Sequence, residues 1–285
     1  MTREQFIEEA LKEDFNDPKG QIPIGDHTTL STIPIDAENG AYAVAKESGV
    51  LAGIELAKEI FAKVDSELVY EAHKADGERV DIGDIIFTIK GKSRSILMGE
   101  RLVLNFMQRM SGIATLTHKY VKELEGTNTK ILDTRKTTPN LRSFEKWAVK
   151  IGGGHNHRFG LYDMIMIKDN HQDFCGGIEN AIISANKYLH ENGFTVPIEI
   201  ETRSIDDVKK VLEVGNVTRI MLDNFSVEEV KKAVELIDGK FETEASGGIT
   251  LKTLRAYAEA GPDYISAGAL THSYKSLDIS LKANK

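Results

Sequence analysis

Charged side chains follow several short apolar runs in the second half of the chain. Arg135 and Lys136 come directly after one run, and Lys168 follows the next. Acids come after the two runs beyond, at Glu201 and Asp223. Guanidinium and ammonium groups suit carboxylates and phosphates, whereas paired acids suit a ribose, a divalent metal or a developing positive charge. The order of cations and then acids predicts a site for a small polyanion.

Two glycine-rich turns follow the last two apolar runs, and each opens a predicted helix. They are Ser246-Gly247-Gly248 and Gly268-Ala269-Leu270. The first N–H groups of a helix are free to bind anions, and glycine leaves no side chain in the way. In a βα barrel, turns after the last two strands form the usual phosphate site. The pair of turns therefore predicts a phosphate subsite.

Residues 133–171 hold seven Lys or Arg against four Asp or Glu, in a chain whose net charge is −8. Three of these cations, Arg142, Lys146 and Lys150, recur every fourth residue on a predicted helix. Because one stripe of a helix repeats at this spacing, and the apolar residues lie opposite, we expect these three side chains to form a solvated face.

Three glycines precede His155-Asn156-His157-Arg158. This pattern favours a loop that approaches a ligand over a simple helix end. The His-x-His spacing also admits an alternative, a histidine metal centre of a barrel hydrolase built from His155, His157 and His171. That alternative is weakened because the histidines follow glycines and not a strand.

The bulk properties exclude several classes of protein. A net charge of −8 argues against nonspecific binding to nucleic acid or a membrane surface, which needs a broad basic face. No apolar run approaches the ~20 residues that span a bilayer. A single cysteine, Cys175, excludes an internal disulfide framework and a cysteine-based zinc site, and it fits a reducing cytoplasm.

The elements that position these residues change at about residue 131. The first part mixes a helix over 3–14, a helix over 54–64 and short strands, which predicts an α+β domain with antiparallel pairing. A long apolar helix over 95–125 follows and contains Glu100, Arg101 and Arg109. Beyond it, strands alternate with helices, which predicts a parallel sheet in an incomplete barrel. The six predicted strands cover 131–132, 164–167, 198–200, 219–222, 241–245 and 264–267.

Several motifs in one order resemble the quinolinate phosphoribosyltransferase family over nearly the whole chain. His27, Asn140 and His155 differ from what is expected in many relatives, but none is an expected ligand. The motifs are Gly25-Asp26-His27-Thr28-Thr29, Glu100-Arg101, Ser111-Gly112-Ile113-Ala114-Thr115, Asp133-Thr134-Arg135-Lys136-Thr137, Gly152-Gly153-Gly154-His155-Asn156-His157-Arg158-Phe159-Gly160-Leu161, Ile167-Lys168-Asp169-Asn170-His171, Leu222-Asp223-Asn224, Ser246-Gly247-Gly248 and Gly268-Ala269-Leu270-Thr271-His272.

The resemblance implies an architecture and an assembly. An N-terminal α/β sandwich would cover residues 1–112, an open seven-stranded α/β barrel would cover 113–275, and a tail over 276–285 would pack back on the first domain. The protein would form a homodimer, or a larger assembly of dimers, with each site completed by the neighbouring N-terminal domain. It would be cytoplasmic and would use Mg²⁺ with no organic cofactor.

The resemblance also implies a reaction, in which quinolinate and phosphoribosyl pyrophosphate give nicotinate mononucleotide, pyrophosphate and CO₂. Arg101 would reach the partner's quinolinate. The other implied substrate residues are Thr134, Arg135, Lys136, His157, Arg158, Lys168, Glu201, Asp223, Ser246, Gly247, Gly248, Ala267 and Gly268. Of these, Lys136, Glu201 and Asp223 would act in catalysis, the two acids with Mg²⁺. The alternatives are a relative that acts on another anionic heterocycle, the metal-dependent hydrolase, and a noncatalytic module that binds phosphorylated metabolites.

Overall fold

The computed structural model describes residues 2–284, which divide into two compact units. The first unit contains the chain up to residue 115 together with the residues from 275 onwards, and the second is Leu116–Tyr274. No helix among the described residues is long and apolar enough to cross a membrane.

The first unit is a small antiparallel α+β domain. Its main sheet has the strand order β12-β1-β5-β3, and β2 pairs with β4 in a separate ribbon. The last strand pairs antiparallel with the first, so the end of the chain belongs to this sheet. The elements are α1 (Arg3–Phe15), α2 (His27–Thr32), β1 (Glu38–Ala45), β2 (Gly49–Val50), α3 (Ile54–Val64), β3 (Val69–Ala72), β4 (Arg79–Val80), β5 (Ile85–Lys92), the start of α4 (Ser93–Glu123) and β12 (Ile279–Ala283).

The second unit alternates strands and helices. Its six parallel strands lie in the order β6-β11-β10-β9-β8-β7. Strand β8 and most of β9 are buried, as expected for a sheet covered on both faces. The elements are β6 (Lys130–Leu132), α5 (Arg142–Ile151), β7 (Ile165–Ile167), α6 (Asp169–Cys175), α7 (Ile178–Asn192), β8 (Ile198–Thr202), α8 (Ile205–Val214), β9 (Arg219–Asp223), α9 (Val227–Ile237), β10 (Glu242–Ser246), α10 (Leu251–Glu259), β11 (Tyr264–Ser266) and α11 (Ala269–His272).

The seventh strand is reduced to one residue. His155 forms an isolated parallel bridge with Leu132, the last residue of β6. Its N–H donates to the Ile131 carbonyl over 2.9 Å, and its carbonyl accepts from Asp133 N–H over 3.0 Å. Hydrophobic periodicity could not reveal this strand, because a single bridged residue has no period. The sheet is open between this segment and β7, as an incomplete barrel requires.

Some elements were not predicted. One of these is the short strand β4, which has only two residues. Helices α2, α6 and α7 were also missed. Helix α2 has only six residues, and its first turn is set by Asp26, whose side chain accepts from Thr29 N–H. Helix α7 buries only Ile178, Ala181 and Ile182, so its apolar stripe is narrow.

The face of α5 that carries Lys146 is buried, so the predicted solvated face was wrong there. The Lys146 side chain is only 2% exposed. Its Nζ donates to Asp133 at short range and to the His157 carbonyl over 3.0 Å. The spacing of four residues correctly predicts that the three cations share one stripe of the helix. It does not predict whether that stripe faces water or a buried acid.

The two flanking cations differ from Lys146. Arg142 is half-buried and donates to Thr137 Oγ1 over 3.0 Å and to the Phe159 carbonyl over 2.9 Å. It therefore joins two loops, which also contradicts the solvated interpretation. Lys150 is exposed, as predicted.

Burial of the Asp133–Lys146 pair costs free energy, but removal of one partner costs more. Burial raises the pKa of Asp133 to about 6 in spite of the Lys146 charge, and it lowers the pKa of Lys146. Both pKa shifts show that the loss of hydration on burial outweighs the attraction between the two charges. Removal of one partner leaves the other charge unpaired in the interior.

We predict that Lys146→Ala lowers the free energy of unfolding by about 3–5 kcal/mol, because it strands a buried carboxylate. Urea denaturation measures this change. Lys150→Ala is the matched control on the next turn of the same helix, and it should change stability by no more than about 0.5 kcal/mol. Equal, small effects of the two substitutions would contradict the buried pair.

Candidate active site

A cavity of about 880 Å³ opens where the strands of the second unit end. In a βα barrel this is the edge where side chains from several strands converge. The residues that line it are Thr134, Arg135, Lys136, His157, Arg158, Met166, Lys168, Asp169, Glu201, Met221, Asp223, Asn224, Glu244, Ser246, Gly247, Gly248, Ile249, Thr250, Ser266, Ala267, Gly268, Ala269 and His272.

The side chains of two arginines, Arg135 and Arg158, line this cavity. Burial first, and then the charge of Arg135, lower the pKa of Arg158 below its ordinary value. Among the described residues, neither arginine forms a salt bridge with an acid. Arg158 is held only by a hydrogen bond from its Nη1 to the Met164 carbonyl, over 3.2 Å. Two guanidinium groups without salt-bridge partners in one cavity favour the binding of an anion.

The Asp133 carboxylate fixes the segment that carries Arg158. It accepts the His157 N–H over 2.8 Å as well as the Lys146 ammonium. With its nitrogen turned toward the acid, the Asn156 amide donates to Asp133 Oδ2 over 2.7 Å. One buried side chain at the end of β6 therefore holds the backbone that presents the neighbouring ligands.

The acids of the cavity are each held by a neighbour. Lys168 Nζ lies 3.1 Å from Glu201 Oε2, so the cation after β7 and the acid at the end of β8 form a pair. The Glu201 carbonyl accepts from the buried Gln172 side chain over 2.6 Å. Asp223 Oδ2 accepts from the Asn224 amide over 2.6 Å. Both carboxylates are therefore oriented before any ligand arrives.

The turn after β10 has a backbone that only glycine fits well. Gly247 and Gly248 have φ values of 98° and 62°. A Cβ on Gly247 would lie 2.2 Å from Asn224 Oδ1 and 2.7 Å from the Asn224 nitrogen. The close packing of this turn against β9 leaves its N–H groups at the cavity, just before α10.

The turn after β11 lies beside Lys136. A Cβ on Gly268 would be 3.0 Å from Lys136 Cδ, and Thr271 Oγ1 donates to the Lys136 carbonyl over 2.9 Å. Lys136 therefore lies against the Gly268 turn and lines the same cavity as the Gly247–Gly248 turn. Lys136, like Arg135, has no acidic partner among residues 2–284.

Beneath the cavity lies a buried ion cluster formed by His157, Glu199, Glu244 and Arg219. His157 Nε2 is 3.0 Å from Glu199 Oε2 and 3.3 Å from Glu244 Oε2. Arg219 Nη1 is 3.0 Å from Glu244 Oε2 and 3.9 Å from Glu199 Oε2. Burial and the Glu244 charge raise the pKa of Glu199 to about 7.

Comparison with known proteins agrees with this arrangement. The family models described as the N-terminal and C-terminal domains of quinolinate phosphoribosyl transferase match residues 26–111 and 113–282. The chain therefore belongs to the quinolinate phosphoribosyltransferase family.

Relatives match over most of their length. The chain is 50% identical to quinolinate phosphoribosyltransferase [decarboxylating] 1b of Nicotiana tabacum, over 97% of this chain and 81% of that protein. It is 46% identical to the probable nicotinate-nucleotide pyrophosphorylase [carboxylating] of Bacillus subtilis, over 85% and 82%. The NadC structure from Streptococcus pyogenes superposes with a TM-score of 0.91 at 39% identity, covering 100% of this chain and 99% of that one.

The structure brings together nearly all the residues that the family resemblance implied. Every implied substrate residue lines the cavity except Arg101. Arg101 belongs to the first unit, where its side chain is exposed on α4. The resemblance assigned it to the neighbouring subunit's site, and that assignment stays a prediction.

The alternative histidine metal centre is not assembled. His157 is buried, whereas His155 and His171 are exposed. His171 Nδ1 accepts the Lys168 N–H over 2.8 Å, so it caps a helix. The group with metal-ligand spacing among the described residues is instead His157, Glu199 and Glu244, within 4.8 Å of one another. Arg219 already supplies a cation there.

Sequence reasoning gave no role to Glu199, Arg219 or Glu244. A signal was present, since each is a charge within an otherwise buried strand. Glu199 and Glu201 alternate along β8, and Glu199 lies directly opposite Arg219 on β9. Residues two apart in a strand point to the same face, so the alternation of Glu199 and Glu201 indicates two acids inside the barrel.

We predict that Gly247→Ala weakens binding of ribose 5-phosphate by about tenfold or more, because the new methyl group must displace Asn224 or the turn itself. Titration calorimetry measures the affinity. Gly193→Ala is the control, because Gly193 also has a positive φ, of 68°, but nothing lies within 4 Å of its added Cβ. An unchanged affinity in Gly247→Ala would exclude this turn from the phosphate subsite.

Proposed function

We propose that the protein catalyses, in this cavity, the transfer of the phosphoribosyl group from phosphoribosyl pyrophosphate to quinolinate. The reaction includes decarboxylation and gives nicotinate mononucleotide, pyrophosphate and CO₂. Family membership supports the reaction, which serves NAD biosynthesis. The observation that carries the proposal is that Arg135 and Arg158 line one cavity together with two glycine-rich turns. A pyridine dicarboxylate and a phosphorylated ribose together need these two kinds of subsite.

The pyridine subsite consists of Arg135, His157, Arg158 and Lys168. Arginine forks bind carboxylates with two parallel hydrogen bonds, which fixes the plane of the acid group. These residues come from the segments on the two sides of the sheet opening, at the end of β6, at the His155 bridge and after β7. Two carboxylates on neighbouring ring carbons can therefore be held from both sides.

The phosphoribosyl subsite lies along the neighbouring strand ends. Ser246, Gly247, Gly248 and Gly268 bind the 5′-phosphate with backbone and hydroxyl groups. The adjoining residues Thr134 and Ala267 line the same wall. Lys136 stabilises the leaving pyrophosphate, since no acid among the described residues pairs with its ammonium. Glu201 and Asp223 face the ribose.

The chemistry requires no protein nucleophile. The pyridine nitrogen forms a bond to the anomeric carbon while the bond to pyrophosphate breaks, and the electron pair leaves with pyrophosphate. Positive charge builds on the sugar, where Glu201 and Asp223 stabilise it electrostatically. Positioning of the two substrates supplies much of the remaining acceleration.

Decarboxylation follows on the bound product of transfer. The bond between the ring and the carboxylate beside the nitrogen breaks, CO₂ leaves, and the electron pair stays on the ring carbon. The positively charged ring nitrogen next to that carbon stabilises the pair, and a proton then replaces CO₂. The arginines that orient the carboxylates also hold the ring for this step.

The acids of the site fit Mg²⁺. Glu201 and Asp223 offer hard carboxylate oxygens in the same cavity, which suit this ion. They would hold it, directly or through water, beside the pyrophosphate, whose charge the ion neutralises. Lys168 and Asn224 keep the two carboxylates oriented for that purpose.

The basic test is an assay with quinolinate, phosphoribosyl pyrophosphate and Mg²⁺. We expect equal amounts of nicotinate mononucleotide and CO₂, measured by chromatography and by release of labelled carbon, and we expect chelation of the metal to abolish both. A folded protein that forms no product would overturn the proposed function. Transfer to a different anionic heterocycle would favour a relative of altered specificity.

The proposal includes a homodimer in the cytoplasm, in which Arg101 completes the partner's site. Its support is the exposure of Arg101 on α4 and its place outside the cavity lining of its own chain. An exposed free thiol at Cys175 is compatible with a reducing compartment. Some relatives carry names that say mitochondrial or chloroplastic, such as that of Arabidopsis thaliana.

We predict that mixed dimers of Arg101→Ala and Lys136→Ala regain activity although each variant alone is inactive. Random mixing leaves one intact composite site in each mixed dimer, or about a quarter of all sites. Steady-state rates after subunit exchange measure the recovery.

The matched control mixes Lys136→Ala with Glu201→Gln. Both residues lie in the same barrel, so every site in that mixture keeps one defect and no activity should return. Equal recovery in both mixtures, or none in either when mixed dimers form, would contradict the shared site.

A further inference from the structure

The buried cluster beneath the cavity has an unusual charge balance. His157 and Arg219 are 7% and 8% exposed, and Glu199 and Glu244 are fully buried. With both acids ionised and the ring neutral, the four side chains carry a net charge of −1. An unbalanced charge in the interior is costly. One proton on the ring brings the cluster to zero.

The contacts direct that proton to His157. Its Nε2 lies 3.0 Å from Glu199 Oε2 and 3.3 Å from Glu244 Oε2, and among the described residues no other group donates a hydrogen bond to either oxygen of Glu199. Arg219 shares its single charge between two acids, because its Nη1 donates to Glu244 over 3.0 Å and its Nε and Nη2 donate to Glu242. The imidazole is therefore the group left to neutralise the second buried acid.

We infer that Glu244, with Glu199, is a positioning residue that holds His157 at the cavity wall as an imidazolium, so that His157 adds a full positive charge to the pyridine dicarboxylate subsite. This inference rests on the proposed function for the identity of the ligand. Glu244 affects substrate binding indirectly, because it sets the charge and the position of His157. Acids that orient catalytic histidines act in the same way.

The protonation of His157 follows from competing contacts. The Arg158 N–H donates to Nδ1 over 2.6 Å, which favours a lone pair there. Burial also disfavours the cation, but the hydrogen bonds and charges of Glu199 and Glu244 outweigh it and raise the pKa of His157 to about 9. This one neutral hydrogen bond is opposed by two buried carboxylates, so the charge balance favours the cation.

Other charged groups also face His157. Asp133 accepts its backbone N–H, and Lys146 donates to its carbonyl. These two charges oppose each other and pair directly, so their combined effect on the ring is small. The groups that face His157 are Asp133 at the end of β6, Lys146 on α5, Arg158 on its own segment, Glu199 on β8, Arg219 on β9 and Glu244 on β10.

The test is the titration of His157 in the complete protein by NMR of labelled histidine, with His157→Asn to assign its signal. A raised pKa means that the ring is charged below about 9 and loses its charge as pH rises through 9. We expect Glu244→Gln to move this midpoint down by about two units, to near 7. Titration of His157 below pH 7 in the unmodified protein, or an unchanged midpoint in Glu244→Gln, would overturn the inference.

Binding provides the second readout. At pH 8 we expect Glu244→Gln to bind quinolinate about tenfold more weakly than the unmodified protein, since most of its rings have lost the proton. At pH 6 both rings are charged and the two affinities should agree within about twofold. A purely structural defect would weaken binding equally at both pH values, and that result would refute the inference.

Glu242→Gln is the matched control. Glu242 lies on the same strand and binds the same Arg219 over 2.9 Å, but it makes no contact with His157. It should leave the His157 midpoint and the affinity profile unchanged. If Glu244→Gln does not fold, Glu199→Gln takes its place with the same expected shifts.

The NMR titration needs no substrate. Failure of quinolinate to bind the unmodified protein would therefore reject the proposed function while leaving the histidine result to decide the inference.

Discussion

The candidate active site depends on one buried carboxylate, Asp133. It terminates β6, accepts the ammonium of Lys146 and accepts the N–H of His157. The seventh strand of the barrel is a single bridged residue, so hydrogen bonding within the sheet cannot by itself hold the segment that follows. Asp133 supplies the missing constraint. It ties the strand end that presents Arg135 and Lys136 to the segment that presents His157 and Arg158.

A second layer of charge lies below the ligands. Glu199, Arg219 and Glu244 fill the barrel interior with a polar network where many barrels have apolar layers. Such a network costs stability unless its charges balance. Here the balance involves His157, a residue that also lines the cavity. The interior and the ligand site are therefore electrostatically linked, and the cost of burial is offset by a cation placed where an anionic substrate binds.

Much of the fold and of the site could be predicted from the sequence because the relevant signals are local. Helix α3, for example, was predicted at its observed ends. The glycine turns and the charges at strand ends, such as Glu201 and Asp223, were visible from their position after apolar runs. The burial of particular charged side chains could not be predicted. The partner of Lys146 is thirteen residues away on another element, and the partners of Glu199 lie on neighbouring strands, so neither environment is encoded in a local pattern.

The central claim is that one cavity holds two anion subsites that share the Asp133-fixed segment. The most direct test is a pair of crystal structures, one with quinolinate alone and one with ribose 5-phosphate alone. The account predicts the two carboxylates of quinolinate against Arg135, Arg158 and Lys168, and the phosphate against the turns at Gly247 and Gly268, with both positions free of overlap. Quinolinate bound at the glycine turns, or both ligands at one position, would contradict it.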